Sequence, residues 1–333
     1  MGKFGVKSPY SPALSRTCST GARIGYKRPV RIASLLASGT ELVCALGQGA
    51  SLVARSHECD APDWVTALPT LSRPTFDISG TSADVDRRVN EKLRAGEPLY
   101  AIDHERLRAL APDVVITQVH CDVCAVSPAQ LDPAHGWPAL RGFETVSMRG
   151  GSLEGILDDF LAIAAAIGSA EAGERLVGDI RARLERWRAR LDGRRRPSVV
   201  CLEWTDPIFP MGNWGPELVA RAGGTCALGN ANVHSASTSW QAVLDADPEV
   251  LVVAPCGFGL ERATEDMPSL AARPGWSGLC AVRAGEVYVA DGNRFFNRSG
   301  PTVFETIPLL AEVLHPEIVP RVSEGRHYRR WQA

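Results

Sequence analysis

Cys121 and Cys124 stand at C-x-x-C spacing and are the first residues of this chain whose pattern points to chemistry. Thiolates so spaced hold zinc or an iron–sulfur cluster when further ligands arrive from elsewhere in the fold. No second C-x-x-C exists, so single cysteines would have to complete the set. Cys59 and Cys256 qualify, because each follows an expected strand, and ligands of parallel α/β sheets bind beyond the carboxyl ends of the strands. The competing reading makes all four unrelated small side chains in loops. Cys44, Cys201, Cys226 and Cys280 lie in apolar contexts and read as core. An odd, scattered set of nine cysteines is no disulfide framework and fits a reducing compartment.

Other candidates follow strands in the same way. His57 and Glu58 come after one strand and His120 after another; each histidine is either a metal or ligand contact or a hydrogen-bonded structural residue. Trp204, Phe209, Trp214, Phe295 and Phe296 either line a pocket for a large flat ligand or pack beneath loops. Arg298 would meet an acidic or amide group of a ligand, or else merely pair with a surface carboxylate. A nucleophile elbow, a P-loop and a dinucleotide fingerprint are all missing, which favours binding over catalysis.

The elements that place these residues alternate between strand and helix. Val30–Leu36 reads as a strand, and Glu41–Leu46 as a helix capped by Ser38 or Thr40 and ended by Gly47. Leu52–Arg55 is a second strand, with one polar helix near Ala83–Leu93 in the loop-rich 60–98. A helix His104–Leu110 and a buried strand Val114–Thr117 follow. From Leu153 to Leu191 helix formers dominate. There Leu176, Ile180, Leu184, Trp187 and Leu191 recur on one face, as in a connecting strut about 30 Å long. Strands at Ser198–Leu202, Val250–Ala254 and Val287–Ala290, and helices at Pro216–Ala222, Ser239–Ala246 and Thr302–Leu314, the last kinked at Pro308, form a second block. A short echo links the blocks: Leu110–Ile116 and Ala246–Val252 both read as helix end, proline, acid, buried strand. The expected organisation is a basic tail 1–29, an α/β lobe 30–150, a helical connection 151–193, an α/β lobe 194–320 and a tail 321–333.

Composition narrows the function. With 333 residues, 45% hydrophobic and 22% charged, the chain suits two globular lobes. A net charge of −2 argues against nucleic-acid binding, and the longest apolar runs are too short for membrane insertion. Residues 1–29 carry six Lys and Arg without an acid, and Pro9, Pro12 and Arg16 interrupt any signal-peptide core. The expectation is a cytoplasmic protein, or a periplasmic one if the true start differs.

Three segments resemble a known family. Ser34–Leu42 with Ala45-Leu46-Gly47 resembles the opening motif of helix-linked periplasmic binding proteins, with Ala37 where proline is common. Glu105–Leu107 through Pro112–Ile116 is similar to the second signature, and Asp291–Pro301 to the closing one. The resemblance spans roughly 30–316. It implies an α/β fold of two Rossmann-like lobes joined by a long helix (class III), with a metal chelate held between them. Cobalamin carriers are the most similar branch, with ferric siderophore and heme carriers beside it. By position Glu58, Phe209, Phe296 and Arg298 fall where a cobalamin carrier lines its cleft, and Glu105 where carriers dock on an ABC permease. Gln241 stands in place of the second docking acid. The ligand expected is cobalamin or a related corrinoid, or another metal chelate. The alternative is a cytoplasmic zinc–thiolate or iron–sulfur protein, possibly an enzyme, on the same scaffold.

Overall fold

Apolar runs with no polar alternation specify strands covered on both faces, and such runs build both sheets. The computed structural model describes residues 28–119, 126 and 142–332. In the first lobe β1 (Ile32–Ser34) is followed by α1 (Ala37–Ala45), then β2 (Leu52–Ala54). A short antiparallel pair, β3 (Ser72–Pro74) and β4 (Tyr100–Ile102), flanks α2 (Ser82–Arg94). Next come α3 (His104–Leu110), β5 (Val114–Gln118) and β6 (Glu144–Met148). Strand order β2-β1-β5-β6, all parallel, makes the sheet. Ile32, Val114 and Ile116 face one core, and Ala33 and Val115 face the other, as a period of two requires.

Two helices lead away from this sheet, α4 (Leu153–Ala166) and α5 (Ala170–Leu191). They are antiparallel: Gly173 lies against Ala164 near the turn, and Arg181 pairs with Glu154 at the far end. A Cβ at Gly173 would sit 2.5 Å from that of Ala164, so glycine permits the close approach. The expected strut is α5, about 33 Å long at 1.5 Å per residue.

The second lobe contains β7 (Ser198–Thr205), β8 (Ile208–Pro210), α6 (Gly215–Arg221), β9 (Thr225–Leu228), α7 (Trp240–Ala246) and β10 (Val250–Val253). It continues through α8 (Leu260–Ala271), α9 (Cys280–Arg283), β11 (Val287–Ala290), α10 (Thr306–Leu314) and β12 (Tyr328–Arg330). Parallel pairing joins β9, β7, β10 and β11; β8 and β12 are antiparallel additions. One continuous apolar core runs from Ile32 through Phe160 to Val199 and Phe304, so the hinge side of both lobes is packed solid.

The echo is a structural device. Ala111 and Asp247 both end their helices in the left-handed region, with φ of 42° and 33°. The acid after the proline then accepts a backbone N–H from the lobe's first strand segment: Asp113 from Arg31 at 2.9 Å, and Glu249 from Ser198 at 2.8 Å. An arginine three residues earlier, Arg28 or Arg195, closes on the same acid in each lobe.

Several expectations change. Leu36, not Ser38 or Thr40, precedes the first turn of α1, because the chain enters the helix directly after β1 and buries both hydroxyl residues. Gly47, at φ 74°, does end that helix. The last helix divides into a 3₁₀ turn, Pro301–Glu305, and α10; Pro308 sits in the first turn of α10, where no hydrogen bond is lost. The stretch 321–333, expected as a tail, supplies β12 on the sheet edge, with Tyr328 fully buried. β3, β4, β6, β8, β9 and α8 were not legible in the pattern.

Candidate site in the interlobe cleft

The loop after β2 carries Ser56–Asp60 toward the second lobe. His57 Nδ1 lies 2.9 Å from Ser72 Oγ, and its ring lies 5.3 Å from that of Tyr100. Both partners come from the β3–β4 pair, which thus orients the imidazole. Burial and the nearby Arg55 charge lower the His57 pKa to about 4, so the ring is neutral at pH 7. With Nδ1 bonded to a hydroxyl, Nε2 is the nitrogen left for a ligand; Glu58 Oε1 is 4.0 Å away.

Glu58 comes from the first lobe, Glu203 and Cys256 from strand ends of the second. Both carboxylates act electrostatically on the Cys256 thiol, which burial chiefly, and then their charges, push up to about 12. Glu58 is itself raised to about 7 by burial and by Asp60, against the pull of Arg298. Burial likewise raises Glu203 to about 7, against a hydrogen bond from Ser235. Glu58 keeps 40% of its side chain accessible and Cys256 is exposed, so neither group sits in a sealed core. Tyr100, raised by burial and then by Glu58 and Cys256, belongs to the same group. These groups together offer two carboxyls that are only partly ionised near pH 7, a phenol and a neutral imidazole.

Arg298 is not free to meet a ligand. It is 7% exposed, and its guanidinium donates to Glu41 at 2.9 Å and to both Asp60 oxygens at 2.7 and 2.9 Å. Asn293 Oδ1 and the Glu58 carbonyl accept from the same group, and Thr302 donates to Glu41 at 2.7 Å. Burial works against its charge, but Asp60 and Glu41 more than offset this and raise the pKa. An ion pair within the protein is observed, but not the surface pair expected: one partner, Glu41, is buried, and the pair bridges the lobes. Gly292 makes the bridge possible: a Cβ there would lie 2.2 Å from the Pro255 carbonyl, where the turn after β11 crosses the end of β10.

The aromatic candidates separate. Phe296 is fully buried, and Trp214 is 4% exposed with Nε1 donating to the Phe296 carbonyl at 2.8 Å. Both are core, which corrects their expected place on the cleft wall: the segment after β11 folds inward under the loops. Phe295 is buried against His327. Trp204, half-buried, packs on Phe258 at 5.2 Å, and Phe209 is its half-buried cross-strand neighbour. These two remain available at the rim.

The thiols do not gather as the metal reading needs. Cys59 is 1% exposed and accepts a hydrogen bond from Thr40 at 3.0 Å, a packed position that the loop after β2 imposes. Among the described residues no group of three or more His, Cys, Asp or Glu could hold a metal ion. His120, Cys121 and Cys124 lie outside the described residues. Glu105 is exposed in the first turn of α3 and Gln241 in that of α7, equivalent places in the two lobes. Tyr100, Glu41 and Asp60 were not singled out from sequence. Tyr100 sits in a three-residue strand with no readable periodicity, and the acids belong to a bridge between distant segments.

Among the described residues no helix is long and apolar enough to cross a membrane. No curated protein sequence matches the chain. Solved structures do. A periplasmic heme-binding protein from Pseudomonas aeruginosa is 20% identical, with a TM-score of 0.65 over 87% of this chain and 94% of that one. A periplasmic vitamin B12-binding protein of Vibrio cholerae is 20% identical, with a TM-score of 0.61 over 85% and 96%. An ABC transporter substrate-binding protein from Listeria monocytogenes is 16% identical, with a TM-score of 0.65 over 87% and 100%. At such identities the likeness establishes the fold of two Rossmann-like lobes joined by a long helix. The family described as periplasmic binding protein matches residues 32–293, most of the chain, and this protein belongs to it.

Proposed function

We propose that the chain binds a cobalamin-like corrinoid, or another metal chelate of similar size, between its lobes. It would serve as the substrate-binding component of an ABC importer or as a cytoplasmic relative of one. The observation that carries the reading is the charge of the cleft. Arg298, the cation that its position would offer to an acidic ligand, is spent on Glu41 and Asp60, while Glu58 and Glu203 stand at the cleft. Carboxylate-rich or catecholate ligands need cations at their rim. A chelate edged by amides is served by carboxyl groups and a phenol. His57 Nε2, neutral and oriented by Ser72, is the donor best suited to the chelated metal, and Trp204 and Phe209 would flank the ligand. Glu105 would face a permease.

A thiolate-held zinc or iron–sulfur centre fits less well, since Cys59 is bonded to Thr40 and burial raises both Cys59 and Cys256. Titration of the purified protein with cyanocobalamin, hydroxocobalamin, hemin and a ferric catecholate, read by absorbance and calorimetry, tests the proposal. The expected order puts the corrinoids first. Absence of binding to every one at high micromolar concentration would refute it, as would a preference for the anionic ligands.

A further inference from the structure

Residues 75–99 leave the first lobe as an arm. Its base is fixed where Thr75 N–H donates to the Leu99 carbonyl at 3.0 Å and Thr75 Oγ1 to the Pro98 carbonyl at 2.6 Å. The β3–β4 ladder roots it beside His57, through Ser72 and Tyr100. Its far end, at the start of α2, lies on the second lobe. Ser82 is 1% exposed; its N–H donates to Asp266 Oδ1 at 3.1 Å and its hydroxyl to Oδ2 at 2.7 Å. The Thr205 hydroxyl of β7 donates to the same carboxylate and packs against the Ser82 hydroxyl. Asp266 is 2% exposed. Next to it, Arg262 stacks on the Phe258 ring at 3.6 Å and donates to the Ile78 and Gly80 carbonyls of the arm.

A buried carboxylate that loses its donors is costly unless water replaces them. A contact of this kind is therefore either fully made, with Asp266 dry, or fully broken, with Asp266 wet, because a partly lifted arm would leave the carboxylate without donors and without water. An apolar seam would slide, whereas this one is made or broken. At the root of the arm, Tyr100 is raised by burial and then by the charges of Glu58 and Cys256. At its far end the seat, Thr205, follows Glu203 along β7, past an irregularity in the strand pairing.

We propose that residues 75–99 are a latch, seated through Ser82 on Asp266 and Thr205, that holds the lobes closed and sets how fast the cleft exchanges its occupant. The exchange part rests on the binding reading above; the closure part does not. The test compares the full-length protein with Ser82→Ala and Asp266→Asn. In ligand-free protein, hydrogen–deuterium exchange across 76–94 and the radius of gyration by small-angle scattering should both rise in Ser82→Ala. With cyanocobalamin as probe, dissociation should speed up by roughly tenfold, the factor carried by one hydrogen bond to a charged group. Asp266→Asn tests the same contact from the other lobe and guards against a local folding defect at either position. Unchanged exchange and dimensions in both variants would overturn the latch. So would a released arm with an unchanged dissociation rate. If the wild-type protein binds no corrinoid or chelate, the binding reading fails, and the ligand-free measurements alone decide whether the arm holds the lobes closed.

Discussion

Replacing Arg298 by alanine separates a ligand contact from a bridge between the lobes. Arg298 and Glu41 have side chains 8% and 7% exposed, whereas Asp60 is 49% exposed. Removing the guanidinium leaves Glu41 as a buried carboxylate with Thr302 as its remaining donor in the bridge. Breaking a buried ion pair from one side typically costs about 3–5 kcal/mol. At roughly 2.1 cal/mol/K per residue, a chain of this length has an unfolding entropy near about 0.7 kcal/mol/K, so Tm should fall by about 4–7 °C. The exposed partner should matter less: Asp60→Asn is expected to cost at most about 1 kcal/mol. Because Glu41 bears the damage, Glu41→Gln combined with Arg298→Met should recover much of the loss, a coupling visible in a double-mutant cycle. Thermal and urea unfolding of Arg298→Ala, Asp60→Asn, Glu41→Gln, Arg298→Met and the Glu41→Gln/Arg298→Met double provide the assay. A loss below about 1 kcal/mol for Arg298→Ala, with corrinoid binding abolished, would refute the bridge and restore Arg298 to the ligand.

Other consequences are open to simple measurement. Glu58 and Glu203, raised to about 7, hold protons in the folded chain that an unfolded glutamate, near about 4.3, has already released. Stability should therefore fall as pH rises between those values and level off above 7, and Glu58→Gln with Glu203→Gln should flatten a Tm-against-pH profile; an unchanged slope would count against the cleft assignment. Phe296→Ala should destabilise by about 3–5 kcal/mol, as for a fully buried ring, without shifting the spectrum of a bound corrinoid. Trp204→Ala should weaken corrinoid affinity several-fold with a smaller loss of stability, measured by calorimetry and thermal unfolding. Glu105→Ala should leave ligand affinity intact and impair uptake only where a permease is present.

What the sequence made legible was local. The helix at 104–110 and the strand at 287–290 emerge with the bounds expected, because capping residues and apolar runs act over a few neighbours. The rule of strand ends singles out His57, Glu58 and Cys256, and in the folded chain Glu58 lies near His57 and acts electrostatically on Cys256. The fate of each side chain was not legible, since it depends on partners far away in the chain. Arg298 meets Glu41 across 257 residues and Ser82 meets Asp266 across 184, and neither pair leaves a pattern in either segment. Phe296 and Trp214 illustrate the same limit: near glycine and proline an aromatic ring suits a pocket wall or a core, and only the path of the segment after β11 decides.

The echoed helix–proline–acid–strand motif was read as a sign of two similar lobes, and its geometry explains why it occurs twice. A parallel strand that opens a lobe leaves its first N–H without a partner in the ladder, and buried donors must be satisfied. Asp113 and Glu249 each supply that acceptor, and the left-handed residue before the proline turns the chain so that the acid arrives there. The motif is thus a clamp on the sheet. A family signature of this kind establishes the scaffold while saying nothing of the cargo. The proposed cargo rests instead on the charges around Glu58, Glu203 and the paired Arg298.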